Sequence, residues 1–493
     1  MAKTIVNTSR RIYWFDENYV LHEITDLTDV FYDVIVEEPV NEGQFRNLYI
    51  VTNNYRHPKR WDGEAAQVED LGGLDAIGVI RARTMEINNS HVIFGNIAKD
   101  GGGPGASNPI DSINTIIDDV TTIIDAYGTT PETGYKRFNK TVIWSDILRP
   151  EYYLPEANNQ AGDLDFDEDG YQIVRIKRLA EFNIVYKEKS IWLLINAGLP
   201  FVYVKKFFTE SVGILAVNAV VEIANVHYFV GHDFDIWRFD GVNVTNLSVQ
   251  QNIKDYIKSR IDNDFIYQTH AYADLDRKEI YFSFYGKADI TTQFRQFDVV
   301  YNYETDQFSK RDSVAKCGGY FEQTKDYKTI DETDDLIDNV QDVIDRFGIF
   351  GTPQRKLLIG DRQGQLHLMN EGDSANGADL PGYYESGDED YAVSSRGVFT
   401  DHSKQIEQLQ LMIENIGLNK DFLFEIGVRD SYDGQIRWKG PFQYRQNGDG
   451  SGKIHLRANG VYHRYRFISP KKDQFIRIVG YTGEVKDYGE VLR

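Results

Sequence analysis

The chain holds a single cysteine in 493 residues, Cys317, so no disulfide can form within it, and folding is expected in a reducing compartment. No run of about 18 apolar residues occurs anywhere, which excludes a membrane-spanning helix of ordinary length. The opening MAKTIVNTSRRIYWFDENY carries no apolar segment of signal-peptide length, so the expectation is a non-secreted product with no membrane partner. Positive charge is in deficit. With 54 Lys and Arg against 76 Asp and Glu the net charge is −22, which disfavours a nucleic-acid grip over the whole surface, because phosphate contacts come from clustered cations. Catalytic signatures are missing too: there is no G-x-S-x-G, Walker loop, H-E-x-x-H or C-x-x-C. GGGPG at 101–105 lacks the Lys-Ser/Thr ending that holds phosphate. The chain is therefore expected not to be an enzyme and to need no cofactor.

What is abundant is aromatic. Tyr (31) and Phe (28) far outweigh the needs of a helical protein, which favours sheet. The stretch NVHYFVGHDFDIWRFDGVNVTNLS at 225–248 organises the rest: an apolar run, a polar turn, a second apolar run, then Asp-Gly. Neither run alternates polar with apolar, so both faces of each strand should be covered. The unit recurs as LYIVTNNYRHPKRWDG at 48–63, with the same closing R-[WF]-D-G, and as LLIGDRQGQLHLMNEGD at 357–373. Repetition of a short antiparallel unit that cannot bury its own faces is the signature of a radial β architecture.

The expected class is all-β: a β-propeller over 44–376, after an N-terminal segment at 1–43, and a β-sandwich-like domain at 377–493. About 250 residues of β pattern at roughly 40 to 45 per blade give about six blades, with seven or eight left open. Two helical insertions interrupt it. At 110–128 apolar residues fall three and four apart, and IIDDVTTIIDAYG at 116–128 aligns without a gap on LIDNVQDVIDRFG at 336–348. Their apolar faces either pack on the β body or meet between subunits, which makes Ile117, Val120, Ile124, Ile337, Val340 and Ile344 the candidate subunit-contact residues.

Three constellations invite a ligand reading. Asp165, Asp167 and Asp169, followed by Gly170, form the first half of a calcium loop, but the twelfth position holds Ile176 where a bidentate carboxylate belongs, so a solvated acidic turn is preferred. His227, His232, Asp233 and Asp235 cluster in sequence, though three of them sit in a hairpin turn where Asp is ordinary turn chemistry. Ser431-Tyr-Asp-Gly-Gln-Ile-Arg-Trp438 resembles the Asp-box hairpin of sialidases, an architectural turn.

Taken in order, LYIVTNNYRHPKRWDG, VIWSDILRPEYY, AGDLDFDEDGYQIVRIKRL, IVYKEKSIWLL, AGLPFVYVKKF, VHYFVGHDFDIWRFDG, VVYNYETDQFSKRD and VYHRYRFISPKKDQFIRIVGYTGEV resemble the β-propeller tail proteins of short-tailed bacteriophages, the nozzle, hub or tail tubular proteins. The resemblance spans 48 to the end. It implies a structural virion protein made in the host cytoplasm, a homo-oligomeric ring of six copies, with adaptor and portal-proximal proteins above and fibre or distal tail proteins below. DNA would pass through its channel without sequence-specific binding, and the ring would help retain the packaged genome and allow its ejection. The alternative from another class is a glycan-directed propeller, a sialidase-like hydrolase or receptor-binding tail protein.

Overall fold

The R-[WF]-D-G repeats are turn devices. In the computed structural model, which describes residues 4–7, 11–15, 20–25, 39–54, 57–100, 135–249, 252–287, 296–313, 315–323, 354–361, 365–369, 382–389, 402–414, 421–431, 433–445, 451–469 and 477–490, the organising stretch forms four antiparallel strands. These are Val220–Ile223, Val226–Val230, Ile236–Phe239 and Val244–Asn246. Ala224 and Asn225 join the first two with φ of 49° and 61°, the two-residue geometry that matches strand twist. Asp240 Oδ1 accepts the backbone N–H of Val242 and of Asn243 at 2.9 and 2.7 Å, and Gly241 takes φ 91°. The copy at 48–63 repeats the arrangement: Asp62 Oδ1 accepts from Glu64 and Ala65, and Gly63 sits at φ 88°. Aspartate caps the turn and glycine supplies its left-handed residue.

Six such sheets follow one another, each built from consecutive strands. The first holds Asn41–Phe45, Leu48–Thr52, Lys59–Trp61 and Glu69–Asp70. The second holds Val79–Asn88, His91–Asp100, Tyr135–Trp144 and Gly162–Asp165. The third runs Ile173–Leu179, Phe182–Lys187, Ile191–Asn196 and Tyr203–Thr209, and the organising stretch is the fourth. His270–Asp274, Glu279–Tyr285, Gln296–Asn302 and Gln307–Ser313 make the fifth. Cys317–Gln323, Gln354–Gly360 and Leu366–Leu368 make a three-stranded sixth. The fold is thus all-β, with little helix among the described residues. A short helix, Ile253–Arg260, turns Ile253 and Ile257 into the core beside the fourth and fifth sheets.

Neighbouring residues on one strand enter different cores, which is why these strands do not alternate with polar positions. Phe94 packs with the first sheet's Ile50, while Ile93 packs with Ile173 and Ile176 of the third. Ile184 and Val185 divide in the same way, as do Ile280 and Tyr281. Each sheet between the first and the sixth is covered on both faces, so strand after strand reads as a continuous apolar run.

One detail differs from the sequence reading. The segment before residue 44 is not separate: Thr4–Asn7, Ile12–Phe15 and Leu21–Glu23 form a small sheet whose Ile12 and adjoining Ile24 pack on Val51, Trp61 and Val68 of the first sheet region. Val68 N–H donates to Ile24 O at 2.8 Å, which ties that segment down. The strand that follows the R-W-D-G turn of the first sheet is only two residues long, Glu69–Asp70. Both helical insertions, with Ile117, Val120, Ile124, Ile337, Val340 and Ile344, lie outside the described residues. The first falls between two strands of the second sheet and the other between two strands of the sixth.

The chain divides into two compact units, 1–369 and 370–493. In the second, Gly382–Glu385, Tyr462–Ser469, Asp421–Arg429 and Arg437–Arg445 form one sheet, and Ser451–Gly460, His402–Glu414 and Arg477–Glu490 another. Leu409 and Ile454 from one sheet share a core with Phe424, Tyr444, Tyr465 and Phe467 from the other. Within the first of these sheets, Trp438 of the Asp-box-like stretch lies under the Arg466 guanidinium at 3.9 Å, and Gly434 N–H donates to Ser431 O at 2.9 Å.

Phe229, fully buried in the fourth sheet with its ring 5.1 Å from Tyr186 of the third, reports on this sheet-to-sheet packing. Phe229→Ala should lower the unfolding free energy by about 3–5 kcal/mol in urea melts, and a loss below about 1 kcal/mol would contradict a close-packed contact there.

Candidate functional site

Ionisable side chains stand on the first strand of each of the six sheets. Glu42, Glu86, Arg175 with Lys177, Glu222, His270 and Cys317 come one sheet after another. First strands lie beside one another from first to second to third sheet, and from fourth to fifth to sixth. The chain entering the fourth sheet also touches both its neighbour and the first. Asn218 O accepts from Ala271 N–H at 2.8 Å, and Asn218 Nδ2 donates to Val40 O at 3.2 Å. These contacts bring residues more than two hundred positions apart into one polar hub.

Solvent reaches Glu42, yet protein encloses it deeply enough that burial raises its pKa. Hydrogen bonds from Tyr49 Oη and Asn7 Nδ2, and the charge on Arg175, act in the opposite sense. Asn7 Nδ2 also donates to Tyr49 Oη at 2.6 Å, which fixes the group. Lys177, its pKa lowered by burial, pairs with Glu86 at 3.8 Å. Arg175 is 7% exposed, and its Nε and Nη1 have no hydrogen-bond partner. Burial pulls its pKa down, and the fields of Glu86 and Glu42 offset part of that. A buried donor left unsatisfied costs about 1–3 kcal/mol, and more when charged.

Two histidines border the hub. His270 is held neutral by burial, its pKa lowered to about 4, against a hydrogen bond with the Gly318 backbone. His227 is lowered to about 3, again by burial first. Its Nε2 lies 2.6 Å from Arg178 O and must donate there, so Nδ1 accepts from Tyr186 Oη at 2.8 Å. Solvent also reaches Cys317, but burial raises its pKa, so the thiol is protonated and a poor nucleophile.

The candidates read from sequence take structural roles. Asp169 accepts from Lys187 Nζ, Ser190 Oγ and, at 2.8 Å, Trp192 Nε1, forming a buried ion pair. Asp165 accepts from the Thr141 hydroxyl, and Asp167 O closes the turn to Gly170 N–H at 3.3 Å. The structure therefore does not aim the three carboxylates at one point. Of the second cluster, Asp235 accepts from Ser248 Oγ at 2.8 Å and Lys254 Nζ at 2.9 Å, and Asp233 from Trp237 Nε1 at 3.2 Å. His232 Nδ1 accepts from Gly213 N–H at 3.2 Å, while His227 lies apart in its strand. Among the described residues no group of three or more His, Cys, Asp or Glu side chains could hold a metal.

A hub of this kind can do two things chemically. Its acids and guanidinium can recognise a small polar ligand, or a carboxylate with a raised pKa can serve as a proton donor opposite a second one, the equipment of glycoside hydrolysis. A nearby cleft of about 210 Å³, lined by Gln44, Phe45, Arg46, Ile87, Asn88, Asn89, Ser90 and Arg178, carries no carboxylate and is smaller than ordinary ligand pockets of roughly 300–1,000 Å³. The sequence reading missed the hub. The signal available was YQIVRIKRL, where Arg175, Lys177 and Arg178 interrupt a strand whose other positions, Ile173, Val174, Ile176 and Leu179, are apolar.

No family model matches the sequence, and no curated protein matches it. Solved structures do resemble it. An ancestral GH74 enzyme is 10% identical with a TM-score of 0.36, the match covering 76% of this chain and 47% of that one. The computationally designed Ika8 protein is 8% identical with a TM-score of 0.34, over 74% and 82% of the two chains. An exo-β-1,3-galactanase from Phanerochaete chrysosporium is 9% identical with a TM-score of 0.26, over 96% and 100%. The chain thus spans about half the length of the GH74 enzyme. Such low TM-scores carry no argument for a particular activity. They do correct one expectation: the sequence reading excluded an enzyme, and since catalysts are among the structures the chain resembles, that exclusion is withdrawn.

The two neutral histidines give stability a pH dependence. In the unfolded chain they protonate near 6.5, whereas in the folded chain they do so only near 4 and 3, so between those limits the unfolded state binds more protons and stability is lost as the pH is lowered. Unfolding free energies from urea melts at pH 7 should exceed those at pH 5 by about 2 kcal/mol for each histidine, and His227→Gln should make the slope shallower. A midpoint independent of pH over that range would contradict the assignment.

Proposed function

We propose that the chain is a tail protein of a short-tailed bacteriophage: a β-propeller with one blade per sheet, about six in all, whose copies form a ring below the adaptor. The ring, a hexamer in the family the chain resembles, continues the DNA channel, helps retain the packaged genome and lets it leave. The observation that carries this reading is the succession of six small sheets, each following the hairpin phrases whose order resembles that family. The Asn218 to Val40 hydrogen bond, between the chain entering the fourth sheet and the chain entering the first, supports a curved succession of sheets rather than an open row. A net charge of −22 per copy supports the mechanism, because an acidic wall repels the phosphate backbone and lets DNA slide without sticking. Portal-proximal proteins would meet the ring above, and fibres or distal tail proteins below, in the virion.

A second reading, a glycan-directed propeller that hydrolyses or binds a sugar, is favoured by one arrangement: Glu42, its pKa raised by burial, shares the field of Arg175 with Glu86. The likenesses to carbohydrate-acting enzymes lean this way rather than towards a tail, without the TM-scores to argue it.

Particle mass and negative-stain images of the purified protein, with a glycan-hydrolysis screen on the same sample, separate the two. The tail reading expects a closed ring with a central hole and weak retention of DNA at low salt. A compact monomer that releases sugar, and loses that activity in Glu42→Gln, would replace it with the second. Tight DNA retention at low salt would contradict a non-adhesive channel.

A further inference from the structure

Arg175 is left without a partner by the hub's own side chains. Its guanidinium is buried, makes no ion pair, and has two N–H groups, Nε and Nη1, that donate to nothing. The two acids whose fields reach it are engaged elsewhere: Glu42 accepts from Tyr49 and Asn7, and Glu86 pairs with Lys177. The charge on Arg175 reaches His270, which burial holds neutral and on which Lys316 also acts. Solvent reaches Glu42 and Cys317, and the charge of Glu42 reaches both Arg175 and Cys317, so a small solute arriving at these exposed residues comes within range of the guanidinium.

We propose that Arg175 forms a binding site at the hub for a small monovalent carboxylate. A planar pair of carboxylate oxygens matches a guanidinium edge better than a spherical halide does. One unpaired cation neutralises one charge, and the fields of Glu42 and Glu86 penalise a second, which selects a monoanion over sulfate or phosphate. The site lies within one protomer, so its test stands apart from whether copies assemble into a ring.

Acetate is the probe. Titrated into the full-length protein at pH 7 and constant ionic strength, it should raise the melting temperature along a saturable one-site curve, while chloride and sulfate should not. Line broadening of the acetate signal in NMR should follow the same curve. Arg175→Met should abolish both responses, and Glu42→Gln, which removes a repelling charge, should tighten acetate binding by roughly threefold to tenfold. Absence of a saturable response in the wild-type chain would overturn the proposal. So would an equal response in Arg175→Met, or a matching response to sulfate. If Arg175→Met does not fold, the wild-type and Glu42→Gln titrations decide between these outcomes.

Discussion

Apolar residues on both faces of one short strand can be buried only if a second and a third sheet flank it, and most of the first unit follows from that constraint. Ile93 and Phe94 are adjacent and enter different cores, as do Ile184 and Val185. A single sheet with this pattern would leave one apolar face in water, at about 25 cal/mol for every Å² exposed. Sheets therefore stack side by side in chain order, and the hairpin turns that deliver each strand back beside its neighbour become indispensable. That is where Asp62, Gly63, Asp240 and Gly241 act: they hold the chain reversals that keep strands short and in register.

Polar chemistry is displaced to the two ends of each sheet as a consequence. At the outer turns it is satisfied locally, as with Asp169, whose carboxylate takes Lys187, Ser190 and Trp192 from neighbouring strands. At the first strands it meets its counterparts from other sheets, and satisfaction there depends on tertiary geometry. Tyr49 and Asn7 restrain Glu42, Lys177 restrains Glu86, and Arg175 remains uncompensated by hydrogen bonds. A fold selected only for stability would replace such a group with a packed aliphatic. Its presence among otherwise apolar strands is the feature that sets this hub apart from the surrounding core.

What was legible in the sequence was local. The hairpin at 226–239 announces itself through its two apolar runs and the turn residues between them. The D-x-D-x-D-G run was legible as a pattern but not as a role, because the partner that fixes Asp169 is Lys187, supplied by a strand of the next sheet. The hub was illegible for the same reason on a larger scale: Glu42, Arg175, His270 and Cys317 are brought together only by the succession of sheets. RIYWF and VLHEITDL read as one or two strands leading into the first repeat, but the sheet they form with Thr4–Asn7 did not show, because its strands are three or four residues long, too short to show a period. Arg175 and Lys177, two charges inside YQIVRIKRL, were the visible trace of that hub.

The central claim is that six successive sheets with two-faced strands bring the polar side chains of their first strands together. A cryo-EM map of the purified protein at side-chain resolution tests it most directly. The account predicts Glu42, Arg175, His270 and Cys317 in a single cross-section at the centre of the sheets. Sheets strung in an open row, with Cys317 remote from Glu42, would contradict it.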